Sequence, residues 1–219
     1  MILAGIVLLL PGFTITIAMI ELATGNLLAG TGRLAGAFIL MLMMGAGVAI
    51  GTKFGMDWIP FQPLSSLVKL PDWTIWPCIA LLGMTLMVFL QAPLRAVHVM
   101  VGACLLAFAV SSTVAAWLGP VAGAFTGAFS VAIAGHLYQR LSGEPGILIQ
   151  IPGLITLVPG SVGFKGLHAL MEQDNLTGIS TITTMVITGA ALVIGTLLAN
   201  SLALSRLARG AKSEIEQET

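Results

Sequence analysis

Seven apolar stretches, each about as long as a bilayer is thick, constrain this chain more than any other feature. They lie near residues 2–22, 34–54, 74–91, 97–117, 120–138, 147–171 and 180–205. A helix of about 20 apolar residues crosses the hydrocarbon core of a membrane. Only 8% of the 219 residues are charged, against about 25% in soluble domains. The sequence therefore predicts an all-α, polytopic membrane protein of about seven transmembrane helices.

Charge and cysteine content exclude several classes of function. Nine Lys and Arg balance nine Asp and Glu, so no basic surface for nucleic acid is predicted. Cys78 and Cys104 lie inside apolar stretches, without the CxxC or Cys/His spacing of a metal site. The motifs GxSxG, HExxH and Walker A are absent from the sequence. We therefore expect no enzyme activity, no metal and no cofactor, and a gradient rather than ATP as the energy source.

The distribution of Lys and Arg predicts an orientation. Positive charges favour the cytoplasmic side of a membrane, and three of them follow the last span, at Arg206, Arg209 and Lys212. Counting back from a cytoplasmic C-terminus, three further loops fall on the same side, those with Arg33, Arg95 and Arg140. Lys53 and Lys69 fall on the opposite side.

Four segments follow from this topology. Residues 1–55 hold two spans, residues 56–73 an external loop, residues 74–206 five spans, and residues 207–219 a polar cytoplasmic tail that we expect to be disordered.

A Pro-Gly pair interrupts the first and the sixth apolar stretch, at Pro11-Gly12 and at Pro159-Gly160. Proline lacks the N–H that a helix interior needs, and glycine adds backbone freedom, so each pair predicts a broken helix. The freed N–H and C=O groups cannot be satisfied by lipid and must face protein or a polar cavity. Many proline kinks in membrane helices only serve packing, which leaves a purely structural interpretation open.

The two broken stretches belong to an internal repeat. With an offset of 148 residues and no gaps, eight of 39 positions are identical, including both Pro-Gly pairs, Gly30 with Gly178 and Gly47 with Gly195. Each copy reads as broken span, polar linker and unbroken span. The first linker falls in the cytoplasm and the second outside, so the copies are predicted to be inverted. Inverted repeats with broken helices are typical of secondary transporters with a substrate site near the midplane.

Three stretches resemble the threonine/serine exporter family. LLLPGFTITIAMIELATGNLLAGTGRLAGA resembles the end of that family's first membrane domain, whereas QAPLRAVHVMVGAC and IPGLITLVPGSVGF resemble parts of its second domain. The resemblance implies proton-driven export of small amino acids from a bacterial cytoplasm through the inner membrane. It also implies about ten spans, three more than this sequence has, so a partner subunit or a longer N-terminal region would supply three further helices.

Residues at and near the breaks are the candidates for a site. The substrate candidates are Pro11, Gly12, Thr14, Thr16, Gln150, Pro159, Gly160 and Ser161. The hydroxyls could bind substrate or merely cap the freed backbone, and the Gln150 amide could instead join two helices. The proton-coupling candidates are Glu21, His168 and Asp174, although Glu21 and Asp174 would also suit exposed interfacial positions. Lys165 shares a helix face with His168 and is expected to extend toward the interface.

Three alternatives stay open. The substrate could be a small dicarboxylate, since a helix N-terminus suits any carboxylate. The chain could be a non-transporting membrane assembly subunit, in which case both breaks would pack against apolar side chains with no polar cleft. An intramembrane enzyme would need two facing titratable groups, and the sequence offers no clear pair.

Overall fold

The computed structural model describes residues 12–58, 71–171 and 173–218. Within those ranges the chain forms no strand and eight α-helices: α1 (Gly12–Ala23), α2 (Leu27–Trp58), α3 (Ile75–Phe89), α4 (Val97–Leu118), α5 (Pro120–Ser142), α6 (Ile147–Leu157), α7 (Gly160–Met171) and α8 (Asn175–Glu218). Short 3₁₀ turns, Asp72–Thr74 and Leu94–Ala96, lead into α3 and α4. The predicted all-α class is confirmed.

Every predicted span coincides with an apolar helical segment. Two segments are short, Thr14–Ala23 and Ile75–Phe89, and five are long enough to cross a membrane: Leu27–Gly51, Leu94–Leu118, Pro120–Ser142, Ile147–Met171 and Asn175–Ala203. The sixth span is divided at Pro159 into α6 and α7, as its Pro-Gly pair predicts. Pro11 lies outside the described residues, so of the first broken span only the half from Gly12 onward is described.

Helix ends differ from the prediction in two places. The helix that contains the span predicted from residue 34 begins at Leu27. The last helix continues to Glu218 and includes the tail predicted as disordered. That tail is rich in Ala, Arg, Lys and Glu and contains no proline, so continuing the helix costs little.

The chain divides into two compact units. The first comprises α1, α2, α7 and α8 as far as Gly189, and the second comprises Trp76–Leu157 and α8 from Ala190. The boundary between Leu157 and Val158 therefore falls at the second Pro-Gly break.

The second unit is built on close helix contacts. A Cβ added to Gly123 of α5 would lie 2.5 Å from the carbonyl oxygen of Ser111 in α4, so small residues set this approach. Val131, Cys104 and Leu192 are fully buried in its core. The Cys104 thiol lies 3.7 Å from the carbonyl oxygen of Pro152 inside α6.

The first unit contains the two helical hairpins of the repeat, the second of them as far as Gly189. With the offset of 148 residues, Gly12–Ala23 maps onto Gly160–Met171, and the start of α2 at Leu27 maps onto the start of α8 at Asn175. The predicted repeat is therefore confirmed by its helix bounds, whereas the inversion of its copies across the membrane stays a prediction.

The turns of the two hairpins also share a backbone hydrogen bond. The Asn26 N–H donates to the Glu21 carbonyl at 2.8 Å, and the equivalent Asp174 N–H donates to the Ala169 carbonyl at 2.9 Å. One residue of each turn has a positive φ, 88° at Gly25 and 67° at Gln173. The two copies thus share a turn conformation as well as a length.

Candidate functional site

Helices α1 and α7 meet at Gly12, the first described residue of α1, and Gly160, the first residue of α7. A Cβ added to Gly12 would lie 2.9 Å from the Cα of Gly160 and would collide with the Val158 side chain. Gly12 and Gly160 are both buried and are equivalent positions of the repeat. Equivalent positions contact each other where a two-fold relation brings two copies together. The structure therefore brings two predicted site residues into direct contact.

This contact places the first described residue of α1 beside the N-terminus of α7. The first N–H groups of a helix have no acceptor within that helix, and they carry a partial positive charge. Pro159 caps α7 with its carbonyl, which accepts from the N–H groups of Val162 at 3.1 Å and Gly163 at 3.2 Å. The N–H groups of Gly160 and Ser161 precede these bonds. Such an end of a helix suits a carboxylate.

The hydroxyls near the breaks differ in what they can do. Thr16 is buried, and its hydroxyl donates to the Gly12 carbonyl at 3.2 Å, which satisfies the hydroxyl within its own helix. Thr14 is half-buried and Ser161 is exposed. Of the three, Ser161 is the one that can reach a solute.

A cavity of about 430 Å³ lies between the hairpins, one helical turn beyond the Gly12–Gly160 contact. Eight of its lining residues form four pairs at the repeat offset, Ile15 with Gly163, Met19 with Leu167, Leu34 with Ile182 and Phe38 with Val186. The cavity therefore follows the relation between the two copies. Its walls are almost wholly apolar, and the hydroxyl of Thr31 in its lining donates to the carbonyl of Leu27 at 2.7 Å.

The three proton-coupling candidates lie in different surroundings. Glu21 pairs with Arg33 of α2, Oε1 to Nε at 2.9 Å, while its Oε2 is buried with no hydrogen-bond partner among the described residues. Asp174 is exposed and accepts from the Thr177 N–H at 3.2 Å, which caps α8. His168 is exposed on α7, and its ring lies edge-on to Phe164.

Gln150 is not brought to the breaks within either unit. It lies on α6 in the second unit, where a Cβ added to Gly135 of α5 would come within 3.0 Å of its Nε2. The amide therefore fills the gap above a glycine, in line with the interpretation that it joins two helices.

One polar surface, on α7, was not predicted as a unit from the sequence. Ser161, Lys165 and His168 are all exposed and follow one another at spacings of four and three residues, so they form a polar face of α7. The opposite side is buried through Gly163, Phe164 and Leu167. Helical spacing was the signal that could have identified this face.

The fold and its site define a class. Apolar spans, a repeated hairpin and a broken helix at the contact between the copies are typical of the membrane-embedded parts of secondary transporters.

The family follows from comparison with known proteins. A profile described as "Threonine/Serine exporter, ThrE" matches residues 74–202, and a second threonine/serine exporter profile matches residues 1–55. The chain belongs to the threonine/serine exporter family.

Individual relatives agree with this assignment. The chain is 24% identical over 204 residues to "Threonine/serine exporter" of Corynebacterium glutamicum, covering 91% of the chain and 42% of the relative. It is 26% identical to "Probable threonine/serine exporter" of Mycobacterium tuberculosis, covering 90% and 40%. It is 27% identical to "Pheromone-regulated membrane protein 10" of Eremothecium gossypii, covering 81% and 25%. The chain thus spans less than half the length of these relatives. No solved structure matches.

Proposed function

We propose that this chain is the membrane-embedded part of an exporter that moves small amino acids such as threonine and serine out of a bacterial cytoplasm. The meeting of the two repeated hairpins at Gly12 and Gly160 carries the proposal. Matched halves around a shared contact can exchange conformations, which opens a site first to one side of the membrane and then to the other.

The inner membrane and a cytoplasmic C-terminus complete this proposal. Both rest on the bacterial relatives and on the positive charges after the last span. Because the chain spans only 42% of the Corynebacterium relative, we propose that a partner subunit or a preceding region supplies three further helices.

In this proposal the substrate carboxylate binds near the N-terminus of α7, where Gly160 contacts Gly12 of α1. Backbone N–H groups and the helix dipole favour a negative charge there. The exposed hydroxyl of Ser161 lies in the first turn of α7 and can donate to the same group. Thr14, half-buried in the first turn of α1, is a second and less accessible candidate donor.

Proton coupling is assigned to Glu21. A carrier driven by the proton gradient needs a group whose charge changes during the cycle. Protonation of Glu21 would remove its attraction to Arg33, which now holds α1 to α2 at 2.9 Å. Release of that pair would let α1 move relative to α2 within the first hairpin. His168 is the second coupling candidate, and Asp174 is the third.

The packing at the breaks also favours a second candidate function, that of a non-transporting assembly subunit. Gly12 is packed against Val158 and Gly160, and the adjoining cavity is apolar rather than polar. The polar face of α7 argues for transport instead, because three polar groups in one membrane helix have no role in simple packing. The dicarboxylate alternative shares the same carboxylate-binding helix ends.

Counterflow in proteoliposomes tests the proposal. The purified chain is reconstituted with and without a partner that carries three further helices, and uptake of labelled threonine and of labelled succinate is measured. Threonine counterflow is the expected result, together with net threonine flux that requires an imposed proton gradient. Succinate uptake alone would favour the dicarboxylate alternative. If the reconstituted pair takes up neither solute, the export proposal fails and the non-transporting assembly subunit is favoured.

A further inference from the structure

The polar face of α7 has no counterpart in the other copy of the repeat. At the offset of 148 residues, Ser161, Lys165 and His168 correspond to Phe13, Ile17 and Ile20 of α1. The two helices have the same length and the same turn after them. Because the scaffold is shared, the three polar residues reflect a requirement of α7 itself rather than of the hairpin.

Exposing this polar face to lipid would cost free energy, so water or a polar partner must cover it. The face lies in the second half of the candidate span Ile147–Met171 and extends about 10 Å from Ser161 to His168. Ionisable residues within a membrane span face a bundle interior or a water-filled cavity rather than lipid. Ser161 and Lys165 are exposed, so the described side chains of the first unit do not cover them.

The charge of Lys165 is available for a ligand. Among the described side chains the ion pairs are Arg33 with Glu21 and Arg95 with Glu144, neither of which involves Lys165. The ammonium lies one turn after Ser161 and the N-terminus of α7, on the same exposed face. A positive helix end, a hydroxyl and an ammonium in a row complement a carboxylate.

We propose that the polar face of α7 lines a water-filled path and that Lys165 binds the carboxylate of the transported solute within it. The second half of this statement rests on the proposed function, whereas the first half does not. Ser161 then receives the solute at the break, Lys165 holds its negative charge, and His168 marks the far end of the path.

Cysteine labelling tests the path without any transport. In a background with Cys78→Ser, which removes the exposed native thiol while Cys104 stays fully buried, cysteine replaces each of Ser161, Lys165 and His168. A charged, membrane-impermeant thiol reagent is applied to the full chain in liposomes. We expect labelling at all three positions at least tenfold faster than at lipid-facing controls.

The matched controls are Ile39→Cys and Ile187→Cys, which are equivalent positions of the repeat and are 56% and 48% exposed. Labelling of the controls as fast as the polar face would overturn the path, because the reagent would then report exposure alone. Unreactive thiols on α7 would overturn it too, and would mean that lipid or another protein covers the face.

Protection by solute tests the role of Lys165. Threonine is expected to slow the labelling of Ser161→Cys severalfold, to do so still with Lys165→Arg, and to lose this effect with Lys165→Met. Succinate in place of threonine distinguishes a dicarboxylate from an amino acid. Protection that persists with Lys165→Met would assign Lys165 to the interface and overturn its binding role.

Transport measured on the same liposomes separates the two failures. If labelling and protection follow the expected pattern but no solute is moved, the proposed export function fails while the path and its carboxylate site stand. If solute is moved but the face is unreactive, export stands and the further inference fails.

Discussion

Gly25 and Gln173, which lie 148 residues apart, both hold a left-handed backbone, with φ of 88° and 67°. Each closes the turn between the two helices of a hairpin, and the N–H of each donates to an equivalent carbonyl, Leu22 for Gly25 and Leu170 for Gln173. The turn is therefore kept in both copies, although only one copy has the glycine that this conformation favours.

Gln173→Gly is expected to stabilise the protein. An L-residue in the left-handed region costs roughly 1 kcal/mol relative to glycine, so the free energy of unfolding should rise by about that amount. Denaturant titration of the protein in detergent micelles, followed by circular dichroism, measures it. Gly25→Ala is the converse control, since nothing lies within 4 Å of a Cβ at Gly25 and only the backbone changes. A loss of stability in Gln173→Gly would contradict the shared turn.

Alanine substitution at a second matched pair, Gly30 and Gly178, should also destabilise the hairpins. A Cβ at Gly30 would lie 2.7 Å from Cγ of Leu22, and one at Gly178 would lie 2.5 Å from Cγ of Leu170. Alanine at either position should lower the free energy of unfolding by about 1–3 kcal/mol, as overpacking does. Gly32→Ala is the control, because a Cβ there meets nothing within 4 Å; a similar loss in this variant would refute the steric cause.

The Glu21–Arg33 pair should show weak but measurable coupling. A double-mutant cycle with Glu21→Gln and Arg33→Ala is expected to give about 0.5–1 kcal/mol, since the side chains are 20% and 52% exposed and solvent screens the attraction. Arg33→Ala should destabilise more than Glu21→Gln, because it leaves a carboxylate whose Oε2 is buried without a partner. Additive single effects in denaturant titrations would show that the pair contributes nothing.

Much of this fold could be predicted from the sequence. Apolar length places the spans, because the bilayer demands about 20 residues in each helix. The Pro-Gly pair at 159–160 predicts the division of α6 from α7, since proline removes a helical hydrogen bond. The repeat was visible through Gly12, Gly30 and their equivalents, and these glycines prove to be contact positions.

The candidate site was less predictable. Which side of a helix is exposed depends on neighbours distant in sequence. The sequence therefore could not show that Ser161, Lys165 and His168 form one exposed face. The sequence alone could not show that the Thr16 hydroxyl bonds the Gly12 carbonyl of its own helix. The apolar character of the cavity likewise depends on how Met19, Met41 and Met185 pack across the hairpins.

The contact between the breaks is expected to tolerate no side chain at Gly12. A Cβ there collides with Val158 and would lie 2.9 Å from the Cα of Gly160, so Gly12→Ala should separate α1 from α7, lower the free energy of unfolding by about 1–3 kcal/mol and abolish threonine counterflow. Val158→Ala removes the nearest obstacle and should restore part of the stability when combined with Gly12→Ala. The non-additivity of the double variant in denaturant titration measures the contact directly. Full additivity, or wild-type counterflow in Gly12→Ala alone, would show that the two breaks do not depend on each other.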